Sequence, residues 1–512
     1  MGTHRSDPAR DAAATTTLGS EAVSPTRRCP ACHRVSRAEA CPFCGTHLEA
    51  APATPAWHPS IALALVRDLV RIEWRDHAGL LRFLLRWLAI GSVIGMLAGA
   101  SSAIFLYGLM LATDARLDTP WLLYLLPVGG FLVGLAYHYL GGRSSGGNNL
   151  ILDEIHGLAA ETPKPAEDRR WVPKRLAPLV LIGTWVTHLF GGSAGREGTA
   201  IQMSGSLSDA FARLVRLDGE DRRLVLIAAV SGGFASVFSV PMAGAVFGLE
   251  VQSVGRIRYD AIVPALTASV IGNVTFHAID LPHDVTPAYE LPAVALSVAL
   301  LGKVALAALA FGLASVLFAE LTDGLKRAFS VLLAWPPLRP LAGGVVVVLL
   351  ATMVGTDDYL GLSLPLIDDA LTGAGVVWYA FALKLLFTAV TLGAGFQGGE
   401  VTPLFVIGAT LGAALAAPLG VPVELLASVG FVAVFAAATN TPLACTIMGL
   451  ELFGAEALPY LAVGCVVAYV FSSHRGIYGA QRVDTPKDPS RPIPDGDLRD
   501  VADRRRPWRR AR

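Results

Sequence analysis

The sequence reads Gly195-Arg196-Glu197-Gly198-Thr199 at one point and Gly398-Gly399-Glu400-Val401-Thr402 about two hundred residues later. Each stretch places a glutamate two residues before a threonine in a glycine-rich segment, and another glycine follows eight residues after each glutamate. Residues 241–250 and 442–451 keep nearly the same offset and are identical at five of ten positions. An internal repeat of this size predicts two related halves with a substrate site between them.

The composition is that of a membrane protein. Hydrophobic residues make up 53% of the chain and charged residues 16%, whereas a soluble domain carries about 25% charged residues. Lys+Arg and Asp+Glu balance at 41 each, so no net charge points to nucleic acid as a partner. The charges concentrate before residue 90, around 161–175 and after 474. We expect the region between the two charged ends to form a membrane domain.

The two ends of the chain are polar and rich in arginine. Residues 1–28 have no apolar core, so they do not resemble a secretory signal, and we expect them to be disordered. Residues 481–512 form a basic tail that we expect to be a solvated terminus. Basic residues at both ends predict that both termini are cytoplasmic, with an even number of full crossings.

The apolar segments between these ends are irregular. Several are interrupted, as at Pro241 and Pro442, or stop at glycine clusters, and the chain has 52 glycines. Because glycine and proline break helices, we expect an all-α membrane domain over 81–480 with many short, tilted and re-entrant helices. Its repeats would cover about 85–285 and 291–480. Residues 48–80 are expected to form a linker and an amphipathic surface helix.

The pair Arg196-Glu197 is costly in lipid and is therefore a candidate functional site. The flanking glycines allow backbone N–H groups at a helix start to face inward and bind an anion. A glutamate beside such a site can occupy it when ionised and leave it when protonated, so it can gate anions and carry protons. The alternative is a structural salt bridge at a helix end. Similarly, Asn148 and Asn149 can donate amide N–H groups to an anion, or simply cap a helix.

With these motifs the chain resembles the CLC family of anion channels and transporters, over roughly residues 85–480. The segment Gly195–Gly198 is similar to the family motif GREGP, with Thr199 in place of proline. Asn148 stands where most members have an anion-binding serine, and Tyr478 is similar to the tyrosine at the inner end of the pathway. The resemblance implies a CLC-like fold of two inverted repeats and a homodimer.

Three departures from the common pattern resemble the fluoride/proton antiporter branch: Asn148, Thr199 and the segment Glu400-Val401-Thr402. Val251 also stands where chloride/proton exchangers carry a second, inner glutamate. The resemblance implies a transporter without enzymatic activity, in a bacterial inner membrane, that exports fluoride in exchange for protons. The alternatives are a chloride or nitrate transporter and a passive anion channel of the same family.

By this resemblance, Glu197 and Glu400 are the gating and proton-coupling residues. The roles of Glu400 and Tyr478 both have a structural alternative. Glu400 can instead be a buried carboxylate bonded to nearby N–H groups, and Tyr478 can be an aromatic residue at the membrane edge. The residues assigned to anion binding are Asn148, Asn149, Gly195, Arg196, Gly198, Thr199, Val401, Thr402 and Tyr478.

A separate signal lies near the N-terminus, where two Cys-x-x-Cys pairs are separated by eight residues. Each pair supplies two thiolates from one tight turn, and two turns complete a tetrahedral zinc site. We expect Cys29, Cys32, Cys41 and Cys44 to hold a structural zinc in a zinc-ribbon-like module over 29–47. A redox pair or a metal-free tail is the alternative, and transport itself is expected to need no cofactor.

Overall fold

The computed structural model describes a chain that divides into two compact units, with the boundary between Leu80 and Leu81. The segment expected to be disordered, up to residue 26, and most of the expected surface helix lie outside the described residues. The residues that the structure describes are 27–29, 31–33, 35–36, 40–47, 74–158, 171–217, 219–279, 281, 289, 294–490 and 496–504.

The first unit contains a short antiparallel hairpin. Strand β1 (Arg27–Arg28) pairs with β2 (Val35–Ser36), and Ala40 and His47 form an isolated bridge further on. The segment expected to be disordered ran through residue 28, and its last two residues form strand β1. They pair with the strand that follows the first cysteine turn.

The first half of the described membrane domain runs through eight helices, of which the first begins before the boundary between the two units. The last of them follows the short strand β3 (Ser253–Val254). The helices are α1 (Trp74–Asp118), α2 (Leu126–Ala136), α3 (Gly147–Leu158), α4 (Leu176–Leu189), α5 (Glu197–Leu214), α6 (Gly219–Phe238), α7 (Pro241–Glu250) and α8 (Ile262–Ala278). Short non-α helical turns occupy Pro120–Leu125, Tyr137–Gly141, Gly142–Gly146 and Tyr259–Ala261.

The second half repeats this order within the described residues. Its helices are α9 (Val298–Leu332), α10 (Leu338–Val354), α11 (Leu364–Thr372), α12 (Ala380–Gly393), α13 (Val401–Leu419), α14 (Val423–Thr439), α15 (Pro442–Phe453) and α16 (Leu458–Phe471). A long first helix, two short ones and then a helix of 14 residues occur in both halves. The order of helices is thus the same in both halves, as expected for two repeats.

The predicted irregularity of the helices is confirmed. Five described helical stretches are long and apolar enough to cross a membrane, and six further apolar helices have 10–17 residues. The chain breaks at Pro241 and Pro442, each of which starts a helix. Two residues before each proline, Ser239 and Asn440 have positive φ angles of 57° and 58°. Left-handed backbone at a non-glycine residue is costly, so its repetition shows that the same sharp turn is built twice.

The tail differs from the solvated terminus that we expected. Strand β4 (Arg482–Val483) pairs in parallel with β3, and the short helix α17 (Leu498–Arg504) follows. Leu498 and Val501 are buried, and Arg499 forms an ion pair with Asp153 of α3 at 3.1 Å. The described part of the tail is folded because its apolar residues pack beside β3. Its final residues, from 505 onwards, lie outside the described residues.

Candidate functional site

The two glycine-rich stretches meet at the centre of the membrane domain. Helix α5 begins at Glu197 and helix α13 at Val401. Just before them, Gly195 and Gly399 form an antiparallel bridge in which each N–H donates to the other carbonyl at 2.7 Å. The two helix N-termini, one from each repeat, are thereby held together. Both carry backbone N–H groups without partners in their own helices, which is what an anion site requires.

The Glu197 side chain crosses from its own repeat to the other. It is completely buried. Its Oε2 accepts a hydrogen bond from the Thr402 backbone N–H at 3.1 Å, and its Oε1 accepts one from the Thr402 hydroxyl. Arg196 Nε lies 3.9 Å from the same carboxyl group. Besides the ion pair with Arg196, two hydrogen bonds from the N-terminus of α13 hold the carboxyl group, so a salt bridge alone does not describe the contact.

Glycine is required on both sides of this carboxyl group. A Cβ added to Gly195 would lie 2.8 Å from Glu197 Oε2, and one added to Gly399 would lie 2.9 Å from it. Real Cβ atoms essentially never come so close to another heavy atom. The two glycines therefore create the space that the carboxyl group occupies.

A small cavity of about 10 Å³ touches two of the predicted anion-binding residues, Asn148 and Tyr478. It has room for one water-sized particle. The rest of its wall is apolar and includes Val251. Tyr478 is only 3% exposed, so the alternative of an aromatic at the membrane edge is wrong. Asn148 Nδ2 also approaches the start of α5, since it would lie 3.1 Å from a Cβ on Gly198.

A large cavity of about 540 Å³ shares Asn148 and Tyr478 with the small one and is also lined by Glu400. The Glu400 side chain makes no hydrogen bond to any described residue, so the alternative of a carboxylate bonded to nearby N–H groups does not hold in this part of the chain. Although Glu400 is the N-cap of α13, it is the Glu197 carboxyl group that accepts the hydrogen bond from the N–H group at that helix start.

The cavity wall also contains polar residues that the sequence did not single out, among them Gln202, Lys326 and Arg339. Gln202 is a polar residue one turn after the gate motif in a helix of mostly small residues, which is a usable signal. Lys326 and Arg339 belong to α9 and α10 and carry no local motif. Only the way in which the halves pack brings them to this cavity.

Four further predicted residues make other contacts, and one of them, Asn149, also lines the large cavity. The Thr199 hydroxyl is 2.7 Å from the Thr184 hydroxyl of α4, so it faces away from the bound carboxyl group of Glu197. Asn149 Oδ1 accepts a hydrogen bond from the Ala480 backbone N–H at 2.9 Å and thereby ties α3 to the segment after Tyr478. Arg196 lines a separate small cavity with Leu362 and residues of α1. Val401, the first residue of α13, is buried.

In the first unit, the four predicted metal ligands come together. The Sγ atoms of Cys29, Cys32, Cys41 and Cys44 all lie within 4.8 Å of one another. Zinc–sulfur bonds of about 2.3 Å would hold four thiolates about 3.8 Å apart, so the arrangement fits a tetrahedral zinc ion. The two cysteine turns are alike: the N–H of His33 donates to Cys29 O and that of Gly45 to Cys41 O, both at 2.9 Å.

The local hydrogen bonds favour the thiolate form of two of these cysteines. The Thr46 hydroxyl and then its backbone N–H lower the pKa of Cys44 to about 6. The backbone N–H of Cys32 is the main cause of the lowered pKa of Cys29. Thiolates are the form that binds zinc.

Comparison with known proteins gives consistent results. A family described as voltage gated chloride channel matches residues 129–473. A chloride/fluoride channel protein of Pseudomonas syringae pv. tomato is 46% identical over 426 residues, covering 82% of this chain and 91% of the relative. The crystal structure of a CLC-type fluoride/proton antiporter has a TM-score of 0.72 at 34% identity, covering 78% of this chain and 98% of that chain.

A more distant relative is named as an exchanger of chloride and protons. The H(+)/Cl(-) exchange transporter ClcA of Vibrio cholerae is 26% identical over 394 residues, which cover 71% of this chain and 81% of the relative. The family match spans more than half of the chain, and the Pseudomonas relative matches most of its length. The resemblance inferred from the motifs is therefore confirmed, and the chain belongs to the CLC family of voltage gated chloride channels and transporters.

Proposed function

We propose that this CLC-family membrane protein exports fluoride from the bacterial cytoplasm in exchange for protons. The observation that carries the proposal is the Glu197 carboxyl group, bound in the donor site of α13 by the Thr402 N–H and hydroxyl. A carboxylate and a fluoride ion need the same donors, so they compete for one place. The names of the 46% identical relative and of the solved antiporter support the choice of substrates.

Competition at this place couples the two ions. Ionised Glu197 occupies the α13 N-terminus and blocks the anion. Once it is protonated, its negative charge is gone and its attraction to the helix N-terminus falls. The group then leaves, an anion enters, and the proton travels with the side chain. Release of the proton on the cytoplasmic side restores the carboxylate. Fluoride thus moves out as a proton moves in.

The donors around this place suit fluoride. Fluoride is small and strongly hydrated, and it accepts hydrogen bonds strongly, so stripping its water requires several good donors. The Asn148 amide and the Tyr478 hydroxyl adjoin a cavity with room for one water-sized particle. The Val401 and Thr402 N–H groups and the Thr402 hydroxyl lie at the helix start beside Glu197. In our proposal these groups replace the water shell.

Glu400 supplies a second charge in the same pathway. It lines the large cavity, as does the positively charged Lys326. In our proposal it receives protons that come from Glu197 and passes them to the cytoplasmic solution. Thr199 and Asn149 keep the helices in place around the pathway, since their side chains bond Thr184 and Ala480.

Ion fluxes in liposomes test this function. The purified protein would be reconstituted, and fluoride and chloride efflux would be measured with a pH electrode in the bath. The expected result is fluoride efflux that drives protons in the opposite direction and exceeds chloride efflux. Fluoride efflux without proton movement would mean a passive channel. A preference for chloride or nitrate would place this chain with the chloride exchangers, such as the Vibrio relative.

We further propose that both termini face the cytoplasm and that the protein is a homodimer in the inner membrane, as the resemblance implies. Basic residues at both ends support the orientation. Labelling of cysteines introduced in the tail, from either side of sealed vesicles, tests the orientation. Cross-linking in membranes tests the dimer.

The cysteine cluster is proposed to hold one structural zinc ion, which would fix the two cysteine turns relative to each other. Metal analysis of the purified chain is expected to find about one zinc per subunit, and less than about a tenth of that would discard the site. Replacing Cys29 and Cys32 by serine should remove the zinc. Cys445 and Cys465, which are buried in α15 and α16, provide the control, because their replacement should leave the zinc content unchanged.

A further inference from the structure

Two side-chain amides on the wall of the large cavity have unused acceptors. Gln202 is 6% exposed, and its Oε1 accepts no hydrogen bond from any described residue. The same is true of Asn148 Oδ1. Both residues line the cavity that contains Glu400. A buried polar atom without a partner is costly, and a bound water molecule is a common way to satisfy it.

The chemistry of the unused atoms limits what binds there. Both are carbonyl oxygens, which only accept hydrogen bonds. A halide also only accepts them, so an anion does not satisfy these atoms. An O–H group does, and a water molecule can donate to two oxygens at once. The two polar atoms of the Asn148 amide can therefore bind different partners. Nδ2 lies near the start of α5, and Oδ1 can accept a hydrogen bond from a water molecule.

The small cavity, in its described lining, has fewer polar groups. The small cavity is lined by Ile201, Val230, Phe247 and Val251 in addition to Asn148 and Tyr478. Its wall is almost entirely apolar. Of the two cavities, the large one thus offers more polar side chains that can hold water for a proton from Glu197.

We propose that Gln202 is a positioning residue that, with Asn148, binds a water molecule which relays protons between Glu197 and the large cavity. The inference rests on the proposed proton coupling. In the step, protonated Glu197 gives its proton to the water oxygen, and this water passes one of its own protons to a water molecule of the cavity. Glu197 becomes a carboxylate and the relay water is regenerated, so charge and atoms balance.

Replacing Gln202 by leucine tests the role of the amide. Leucine keeps the bulk but removes the acceptor, and proton-coupled fluoride efflux is expected to slow about tenfold, the effect of one lost hydrogen bond in a rate-limiting step. Gln202→Ala should slow it less, because the smaller side chain leaves space that water can fill. A residue that only filled space would give the reverse order. Gln397→Leu is the control, since that amide lies on the cavity wall but donates to Gly395 O at 3.3 Å.

A second arm uses Glu197→Gln, in which protons are not carried. Adding Gln202→Leu to that variant is expected to leave its fluoride flux unchanged, and an equal slowing would overturn the relay because Gln202 would then act on the anion. If Gln202→Leu exchanged fluoride for protons at the wild-type rate, the relay would be overturned and the proposed antiport would stand. If the wild-type protein moved no protons, both the relay and the proposed antiport would fail.

Discussion

Carboxyl groups bind the N-termini of helices from the opposite repeat at two places in this molecule, and the two places differ in symmetry. Glu250, at the end of α7, accepts hydrogen bonds from the Leu443 and Ala444 N–H groups of α15 at 3.1 and 2.8 Å. Glu451, in α15, accepts from the Met242 and Ala243 N–H groups of α7 at 2.9 and 2.8 Å. These reciprocal caps form a closed pair in which each helix start is satisfied by the other half.

At the gate, only one of the two equivalent carboxyl groups binds a helix start of the opposite repeat. Glu197 binds Thr402 at the start of α13, but Glu400, its equivalent in the second repeat, makes no hydrogen bond to the start of α5 in the described structure. Glu400 lines the large cavity instead, and the Thr199 hydroxyl bonds Thr184. In each reciprocal cap the carboxyl group binds two N–H groups of the other helix start, whereas at the gate, among the described residues, the Glu400 carboxyl group does not bind the start of α5.

The position of proline contributes to this difference. In the reciprocal caps, Pro241 and Pro442 are the first residues of their helices, where a missing N–H costs nothing, and the next two N–H groups bind the carboxyl group. At the gate, Pro403 is the third residue of α13, so one of the usual donors is absent. The Thr402 hydroxyl supplies the second hydrogen bond. A side-chain donor can rotate to another acceptor, which a backbone N–H cannot do.

The largest expected effect comes from Glu197→Gln. The amide has nearly the same shape and retains an oxygen for the Thr402 N–H, but it cannot take up and release a proton at ordinary pH. Proton movement should therefore fall to the background of empty liposomes, while fluoride still crosses the membrane. The measurement is fluoride efflux with simultaneous pH recording. Proton exchange at the wild-type ratio would show that the gate is elsewhere.

Breaking the reciprocal caps should have a smaller effect, and on a different quantity. Glu250→Ala leaves the N–H groups of Leu443 and Ala444 without an acceptor, and each such loss costs about 1–3 kcal/mol. The free energy of unfolding of the detergent-solubilised protein should fall, whereas the number of protons moved per fluoride should not change. Glu451→Ala should cost less, because Glu451 is partly exposed and Glu250 is 6% exposed.

Glu250→Gln is the matched variant for this comparison. Its remaining oxygen can accept from Ala444, so it should be more stable than Glu250→Ala. A changed proton-to-fluoride ratio at unchanged stability would mean that the reciprocal caps belong to the transport mechanism, and the distinction between the two places would be lost.

The sequence is sufficient to predict the features that are local or repeated. The helix starts at Glu197 and Val401, the breaks at Pro241 and Pro442 and the cysteine quartet all follow from spacing and residue type. Each depends on a few neighbouring residues. Duplication strengthens these predictions, because the same pattern appears twice in unrelated surroundings.

The contacts between the halves are not predictable in this way. Glu197 and Thr402 are separated by 205 positions, and no periodicity indicates that one binds the other. The same applies to Lys326 and Arg339 on the cavity wall and to the hydrogen bond from Ala480 to Asn149. The folded tail was missed because its apolar residues, Leu498 and Val501, are isolated in a charged segment and only packing against the main domain makes them a core.

The smallest expected effect, and the sharpest test of the contrast, is Thr402→Val. If the hydroxyl served only Glu197, its loss would weaken the gate by about 1 kcal/mol and lower the half-saturating fluoride concentration about fivefold. If it served only fluoride, that concentration would rise by a similar factor.

We expect a change of less than about twofold, because a donor that binds both competitors equally does not shift the balance between them. Thr402→Ser, which keeps the hydroxyl, should match the wild type in both rate and half-saturation. A shift of about fivefold in either direction would contradict a shared donor. In the reciprocal caps the donors are backbone N–H groups, so no side-chain substitution can remove them in the same way. The rotatable hydroxyl is thus the part of the gate that lets one helix start bind a carboxylate and a halide in turn.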